Sequence, residues 1–254
     1  MPPPGVYTLL YGDYFHANSL RDNNGNAVPV EFKATVLALA PRFIWVGEKK
    51  ILGGNPAFHT ILPLLNVDVQ VAGKRESSTG LGDIVFGPGL GFHASDKFHY
   101  VFCFDVNAPT GTYDSKRLAN TSRNYWNIEP IATASYVQPQ GINADIKVMY
   151  DFNFRNPETH YTSGQELHAD FAAGWGLGNG WVLGAGGYAY QQVTDDEKDG
   201  STIANNKGRA FGIGPSIKYD NGKGWFITMK WQEDLGVRNR ADGRELKVKM
   251  SIPF

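Results

Sequence analysis

The chain has 254 residues and a single cysteine, Cys103. One thiol closes no internal disulfide, so no oxidative framework holds the fold. Long apolar runs are also missing. The longest, ATVLALA and WVLGAGGYAY, fall well short of a membrane-spanning helix. Charge is sparse and balanced: 19% of residues are charged and the net charge is −1. A nucleic-acid partner needs a clustered basic surface, so none is expected. Helical spacing, with apolar residues at i, i+3 and i+4, is scarce. No secretory signal segment is recognisable, and Met1 before PPPG reads as the start of a mature chain.

Glycine (30 residues), aromatic side chains (13%) and a period of two are what the chain has in quantity. In GINADIKVMYDFNFRNP, Ile142, Ala144, Ile146, Val148, Tyr150, Phe152 and Phe154 share one face. Asn143, Asp145, Lys147, Asp151, Asn153 and Arg155 share the other, with Met149 the exception. ELHADFAAGWGL sets Leu167, Ala169, Phe171 and Trp175 against Glu166, His168 and Asp170. FHYVFCFDVNA sets Phe98, Tyr100, Phe102 and Phe104 against His99, Cys103 and Asp105. A soluble sandwich alternates too, but its strands run about 5–6 residues. These alternations hold for about 9–13 residues, the length a tilted strand needs to cross a bilayer. Mean hydropathy, −0.33, does not separate the two, because a barrel averages over both faces. In lipid every backbone polar group needs a partner within the protein, so such a sheet must close.

Turn signals mark twelve segments, roughly 6–17, 31–46, 58–72, 81–95, 98–108, 123–138, 141–155, 163–178, 180–194, 208–220, 224–237 and 244–254. SDK, QPQ, GNG and DNGKG are tight turns. Between them lie longer polar loops such as APTGTYDSKRLANTS and DDEKDGSTIANNK. Short turns on one side and long loops on the other is the bacterial outer-membrane pattern. The expected fold is all-β: residues 1–254 as one domain, a closed antiparallel transmembrane barrel of about twelve strands. GEKKILGGNPA is long where a short turn is expected. VYTLLYGDYFHA alternates poorly, so residues 1–5, extending to about 15, are candidates for a segment inside the lumen. Residues Trp45, Trp126, Trp181 and Trp225 fall near segment ends, as in an interfacial aromatic girdle.

The chain ends in ELKVKMSIPF, apolar at every second position back from Phe254. This ending resembles the recognition strand of bacterial outer-membrane barrels, which implies the barrel-assembly machinery as a partner and Phe254 as the assembly signal. GLGDIVFGPGLGFH, Gly80 to His93, resembles the Gly-Leu-Gly-Asp segment of the family named for the MetA pathway of phenol degradation. That resemblance implies an outer-membrane channel for passive uptake of small hydrophobic molecules such as aromatic compounds. Two rival readings stay open: a membrane-embedded lipid hydrolase or acyltransferase, and a structural or adhesion barrel.

The registers predict a mixed-charge lumen. Its acids are Asp83, Asp105, Glu129, Asp145, Asp151, Glu166 and Asp170. Its bases are Lys147, Arg155, Lys218, Lys230, Lys247 and Lys249, and His99, Asn143 and His168 share the same face. Similar numbers of both signs predict weak ion selectivity. Gly87, Gly89 and Gly91 are read as small inward positions beside a crowded lumen. Pro41, Pro63, Pro88, Pro130 and Pro215 lack a ladder donor and mark wall kinks, with a side gap as the sharper alternative. No catalytic spacing stands out: His16 with Ser19, and His160 with Ser163, match no hydrolase pattern. DDEKDGSTIANN half-resembles a calcium loop but has Asn206 where a bidentate Glu is wanted. No cofactor or metal is expected, and the membrane partner is outer-membrane lipid.

Overall fold

The computed structural model describes residues 1–252. Phe254, and with it the assembly-signal expectation, lies outside the described residues. Twelve wall strands run in chain order. They are β1 (Gly5–Leu20), β2 (Phe32–Val46), β3 (Asn55–Ile61 and Leu64–Val71), β4 (Lys74–Leu81 and Ile84–His93), β5 (Phe98–Ala108) and β6 (Asn127–Tyr136). They continue as β7 (Gln140–Asn153), β8 (Glu166–Leu177), β9 (Trp181–Gln192), β10 (Arg209–Asp220), β11 (Phe226–Arg238) and β12 (Ala241–Ile252). Each pairs antiparallel with the next, and β1 also pairs with β12, so the sheet closes. Closure removes the open edges that no lipid-exposed sheet tolerates.

β1 is a wall strand along its full length. Leu10 faces Pro41 on one side and Met250 on the other. The expectation that residues up to about 15 leave the wall is corrected. Its poor alternation has a physical cause: both faces carry apolar groups. Leu10 and Tyr14 share the outward face with Leu39, Leu37, Met250 and Leu246. Leu9, Tyr11 and Phe15 point inward. Residues 1–4 do turn inward. A Cβ at Gly91 would lie 2.5 Å from Met1 Sδ, and the Tyr7 hydroxyl donates to the Pro3 carbonyl at 2.8 Å.

The outward face is greasy. Leu37, Phe102, Ile142, Trp175, Leu183 and Leu235 are 47–58% exposed. A belt of such residues around a protein is untenable in water and suited to lipid. Short turns join the strands at the end where β1 begins. Gly178 (φ 84°) and Gly180 (φ 91°) supply the left-handed backbone that GNG needs. The 47–54 connection is longer, as its sequence indicated, and carries an Ile51–Gly54 bridge.

At the opposite end the wall is uneven. The upper segment of β4, Lys74–Leu81, pairs only with β3. Its free edge is covered by the 109–126 loop: Thr121 Oγ1 donates to Leu81 O (3.0 Å), Arg117 Nη2 to Ser77 O (2.8 Å), and the Leu118 amide to Glu76 Oε2 (2.8 Å). A small three-stranded sheet of Tyr161–Thr162, Asp196–Lys198 and Ser201–Ile203 stands beside it. The half-calcium loop is this hairpin. Three of its carboxylates are already used: Asp196 accepts from Gly164 N and Gln192 Nε2, both 2.8 Å, Asp195 lies 3.6 Å from Lys207, and Asp199 3.1 Å from His160.

Four of the five prolines lie on the outward side of the wall. Pro88 loses pairing only toward β5, Pro130 only toward β7, and Pro215 only toward β11. The register is the same on either side of each interruption. Pro41 and Pro63 meet at the joint of β3, where the Leu62 amide donates to Pro41 O (3.0 Å) and the Gly82 amide to Pro63 O (2.7 Å). A missing N–H thus removes single rungs without shifting the sheet.

Candidate functional site

The GLGDIVFGPGLGFH motif earns its glycines in cross-strand geometry. His59 on β3 sits opposite Gly87 on β4, and Asp105 on β5 flanks Gly87 from the other side. With no side chain between them, the imidazole reaches over the glycine. His59 Nε2 lies 2.8 Å from Asp105 Oδ1, and their side chains are 3% and 6% exposed. A Cβ at Gly87 would lie 2.2 Å from Phe104 O and 2.9 Å from Asp105 Oδ1. The same device recurs on the far wall. Tyr188 faces Gly212, whose other neighbour is Asp234, and the Tyr188 hydroxyl donates to the Asp234 carboxylate across it. A Cβ at Gly212 would fall 2.2 Å from the Tyr188 ring.

Register then sorts the interior into three sectors. Asp105 pairs with Glu129, and Glu166 with Asp151; Glu129 and Asp151 both approach His168 Nε2, at 3.6 and 2.8 Å. Four consecutive strands, β5 to β8, therefore carry one level row of acids. On β10 to β12 the inward side chains include Lys218, Lys230, Lys247 and Lys249; Lys230 pairs directly with Lys247. These lysines lie among rings: Lys249 Nζ is 5.9 Å from the Tyr11 centroid and 5.5 Å from Phe226, and Lys247 Nζ is 5.8 Å from Tyr188. Between the two, β1 to β3 turn Leu9, Phe15, Val36, Ala38, Leu65 and Val67 inward. Asp13 and Arg42 are the charged residues in that apolar strip, Asp13 opposite Lys247 and Arg42 donating to the Tyr11 hydroxyl at 3.1 Å. The lumen is mixed in count and only partly sorted in space: within the lysine sector Glu245 lies 3.1 Å from Lys247 and Asp220 3.3 Å from Lys218, and Lys147 faces Asp170 on the acid side.

Most residues expected at the lumen fall on inward rows. Asn143, Asp145, Lys147 and Asp170 lie on β7 and β8, with Lys147 opposite Asp170, and His99 stacks edge-on against His93 near the short-turn end. Two do not. Arg155 follows the end of β7, where its guanidinium is 3.9 Å from Asp199 and half-exposed, so it belongs to the loops. Asp83 lies in the joint of β4, where its carboxylate accepts from the amides of Gly111 (3.1 Å) and Arg123 (2.8 Å) and anchors the 109–126 loop. Periodicity alone does not single out His59, because its partner Asp105 lies 46 residues further along the chain.

The long loops pack against one another at the mouth. Ala119, Thr121 and Ser122 in the 109–126 loop are buried, and Asn156 Nδ2 donates to Arg123 O at 3.1 Å, tying that loop to the 154–165 loop. Removing residues 113–120 is expected to raise single-channel conductance about twofold or more if the loop forms the constriction of the path. Unchanged conductance in planar bilayers would show that the constriction lies deeper.

The family model described as "Putative MetA-pathway of phenol degradation" matches residues 17–250. The chain belongs to this family. No curated protein matches the chain. Among solved structures, an outer-membrane channel from Pseudomonas putida F1 superposes with a TM-score of 0.88 at 17% identity, covering 100% of this chain and 97% of that one. The translocator domain of the autotransporter NalP from Neisseria meningitidis gives 0.57 at 12%, covering 100% and 90%. The CymD monoaromatic hydrocarbon channel gives 0.53 at 9%, covering 100% and 89%. At these identities the likeness establishes the shared barrel fold for this member of the family.

Proposed function

We propose that this family member is a single-domain outer-membrane channel for passive uptake of small hydrophobic molecules, aromatic compounds among them. The observation that carries the reading is the apolar strip of β1 to β3 inside a closed barrel. A ring can slide along Phe15, Val36 and Val67 while water and charge occupy the other two sectors. The family match and the hydrocarbon channel of like fold support the same reading. Passage needs no cofactor, energy source or catalytic group. Among the described residues, His16 Nδ1 is engaged with Thr35 Oγ1 (3.0 Å) and His160 Nδ1 lies 3.1 Å from Asp199 Oδ1, so neither is poised on its neighbouring serine. Barrel-assembly machinery is the partner expected for insertion.

A second route, sideways through the wall, finds no opening at Gly87 and Pro88: β4 and β5 keep one register there, and a Cβ at Gly87 would lie 2.2 Å from Phe104 O. Liposomes containing the protein are expected to take up benzyl alcohol faster than a sugar of similar size. Equal leakage of both would overturn the hydrophobic-solute reading. Val36→Asp with Val67→Asp is expected to slow benzyl alcohol uptake about tenfold, by putting charge on the strip. Uptake at the original rate would remove the strip from the path.

A further inference from the structure

We propose that the cavity at the long-loop mouth is a capture site for a monoaromatic anion, an aryl carboxylate being the simplest case. This deepens the channel reading and rests on it for the fate of the captured molecule. The cavity has a volume of about 390 Å³, room for one substituted ring with water. Three tyrosines line it, Tyr113, Tyr125 and Tyr161, together with two cations, Arg123 and Lys198. No carboxylate is among its lining residues. Rings that offer flat apolar faces, and cations with no anion between them, are complementary to an aromatic acid.

The site is also built. The Arg123 amide is held by Asp83 Oδ2 at 2.8 Å and its carbonyl by Asn156 Nδ2 at 3.1 Å. Asn156 is itself fixed, its Oδ1 accepting from the Glu158 and Thr159 amides at 2.9 and 3.1 Å. Two loops far apart in sequence thus converge on the backbone of one arginine. The Tyr161 hydroxyl accepts from Asn206 Nδ2 at 3.2 Å, which orients that ring. Burial, and then the nearby Asp196, push the Tyr161 hydroxyl above its ordinary value, so it adds no negative charge. The Arg123 guanidinium lies beside the Tyr125 hydroxyl, and the carboxylates nearest to it are Glu166 and Asp151, on the acid row of β7 and β8. Asp151 is already committed to His168 (2.8 Å) and Asn127 (2.8 Å).

The interior continues the same chemistry. An anion leaving Arg123 meets the acid row directly below and the lysine sector opposite, where Lys247 and Lys249 stand beside Tyr188, Tyr11 and Phe226. Separated charges of this kind orient a molecule with an apolar ring and one negative group. The apolar strip of β1 to β3 adjoins the lysines, so ring and charge have neighbouring tracks.

The test is titration of the full chain in detergent micelles with benzoate, benzyl alcohol and benzylamine, followed by saturation-transfer NMR. Benzoate is expected to bind at least about tenfold more tightly than benzyl alcohol, since one charge-assisted contact separates them. Benzylamine is expected to bind more weakly than either. Arg123→Gln is expected to erase the benzoate advantage and leave benzyl alcohol within about twofold, with Arg123→Lys restoring part of it. Heat-modifiable migration on gels checks that each variant stays folded. Equal affinity for benzoate and benzyl alcohol, or an advantage that survives Arg123→Gln, overturns the proposal. Liposome uptake of benzyl alcohol is scored separately. Uptake without a benzoate preference defeats the capture site alone. A benzoate preference with no uptake of any solute supports the capture site and defeats the channel reading.

Discussion

His59→Ala is expected to destabilise the folded barrel by about 3–5 kcal/mol, because it strands a buried carboxylate. Asp105 is 4% exposed, and its Oδ1 has His59 Nε2 as its hydrogen-bond partner at 2.8 Å. Removing both partners leaves no orphan charge. The His59→Ala, Asp105→Ala double variant is therefore expected to recover a large part of the loss, as buried pairs do when both members go. Gly87→Ala should resemble the single variant, because its methyl meets Phe104 O at 2.2 Å and Asp105 Oδ1 at 2.9 Å. The backbone contact cannot be relieved by a rotamer change. Urea unfolding in lipid vesicles, followed by tryptophan emission, measures all three. A His59→Ala cost under about 1 kcal/mol would mean that water, not His59, satisfies Asp105.

GLGDIVFGPGLGFH showed glycine at alternate positions, and alternation was enough to place Gly87, Gly89 and Gly91 inward. The reason for glycine was not in the motif. It lies in His59, 28 residues earlier in the chain, and in Asp105, 18 residues later. Strand-level features were legible in the same way: the faces of Ile142 to Phe154, and Lys247 and Lys249 opposite Leu246 and Val248, follow from a period of two. β1 was harder because its inward face is apolar, so the alternation that marks a half-wet strand is missing there. Arg155 continues the alternation of β7 by parity, but the strand ends at Asn153 and parity has no meaning beyond it. Asp83 failed for the opposite reason. The joint at Gly82–Asp83 frees its carboxylate to hold loop amides instead of facing the lumen.

Counting charges gives weak selectivity for the wild type, and position shows which substitutions unmask selectivity of either sign. Lys230→Gln with Lys247→Gln and Lys249→Gln is expected to make the channel cation-selective. Glu129→Gln with Asp151→Asn and Glu166→Gln is expected to make it anion-selective. Screening in salt extends over about 8–10 Å, so an ion in a narrow lumen feels both walls, and the wild-type fields oppose one another. Deleting one wall leaves the other unopposed. The two triple variants should shift the zero-current potential in opposite directions across a tenfold salt gradient, by a few tens of millivolts each on the scale of RT/F. The two changes should be of similar size, because each side already has a partner: His168 sits against Asp151 and Glu129, and Lys247 against Glu245 at 3.1 Å. Shifts of the same sign, or none, would show that ions do not travel between these two sectors, and would move the conducting path to the mouth loops.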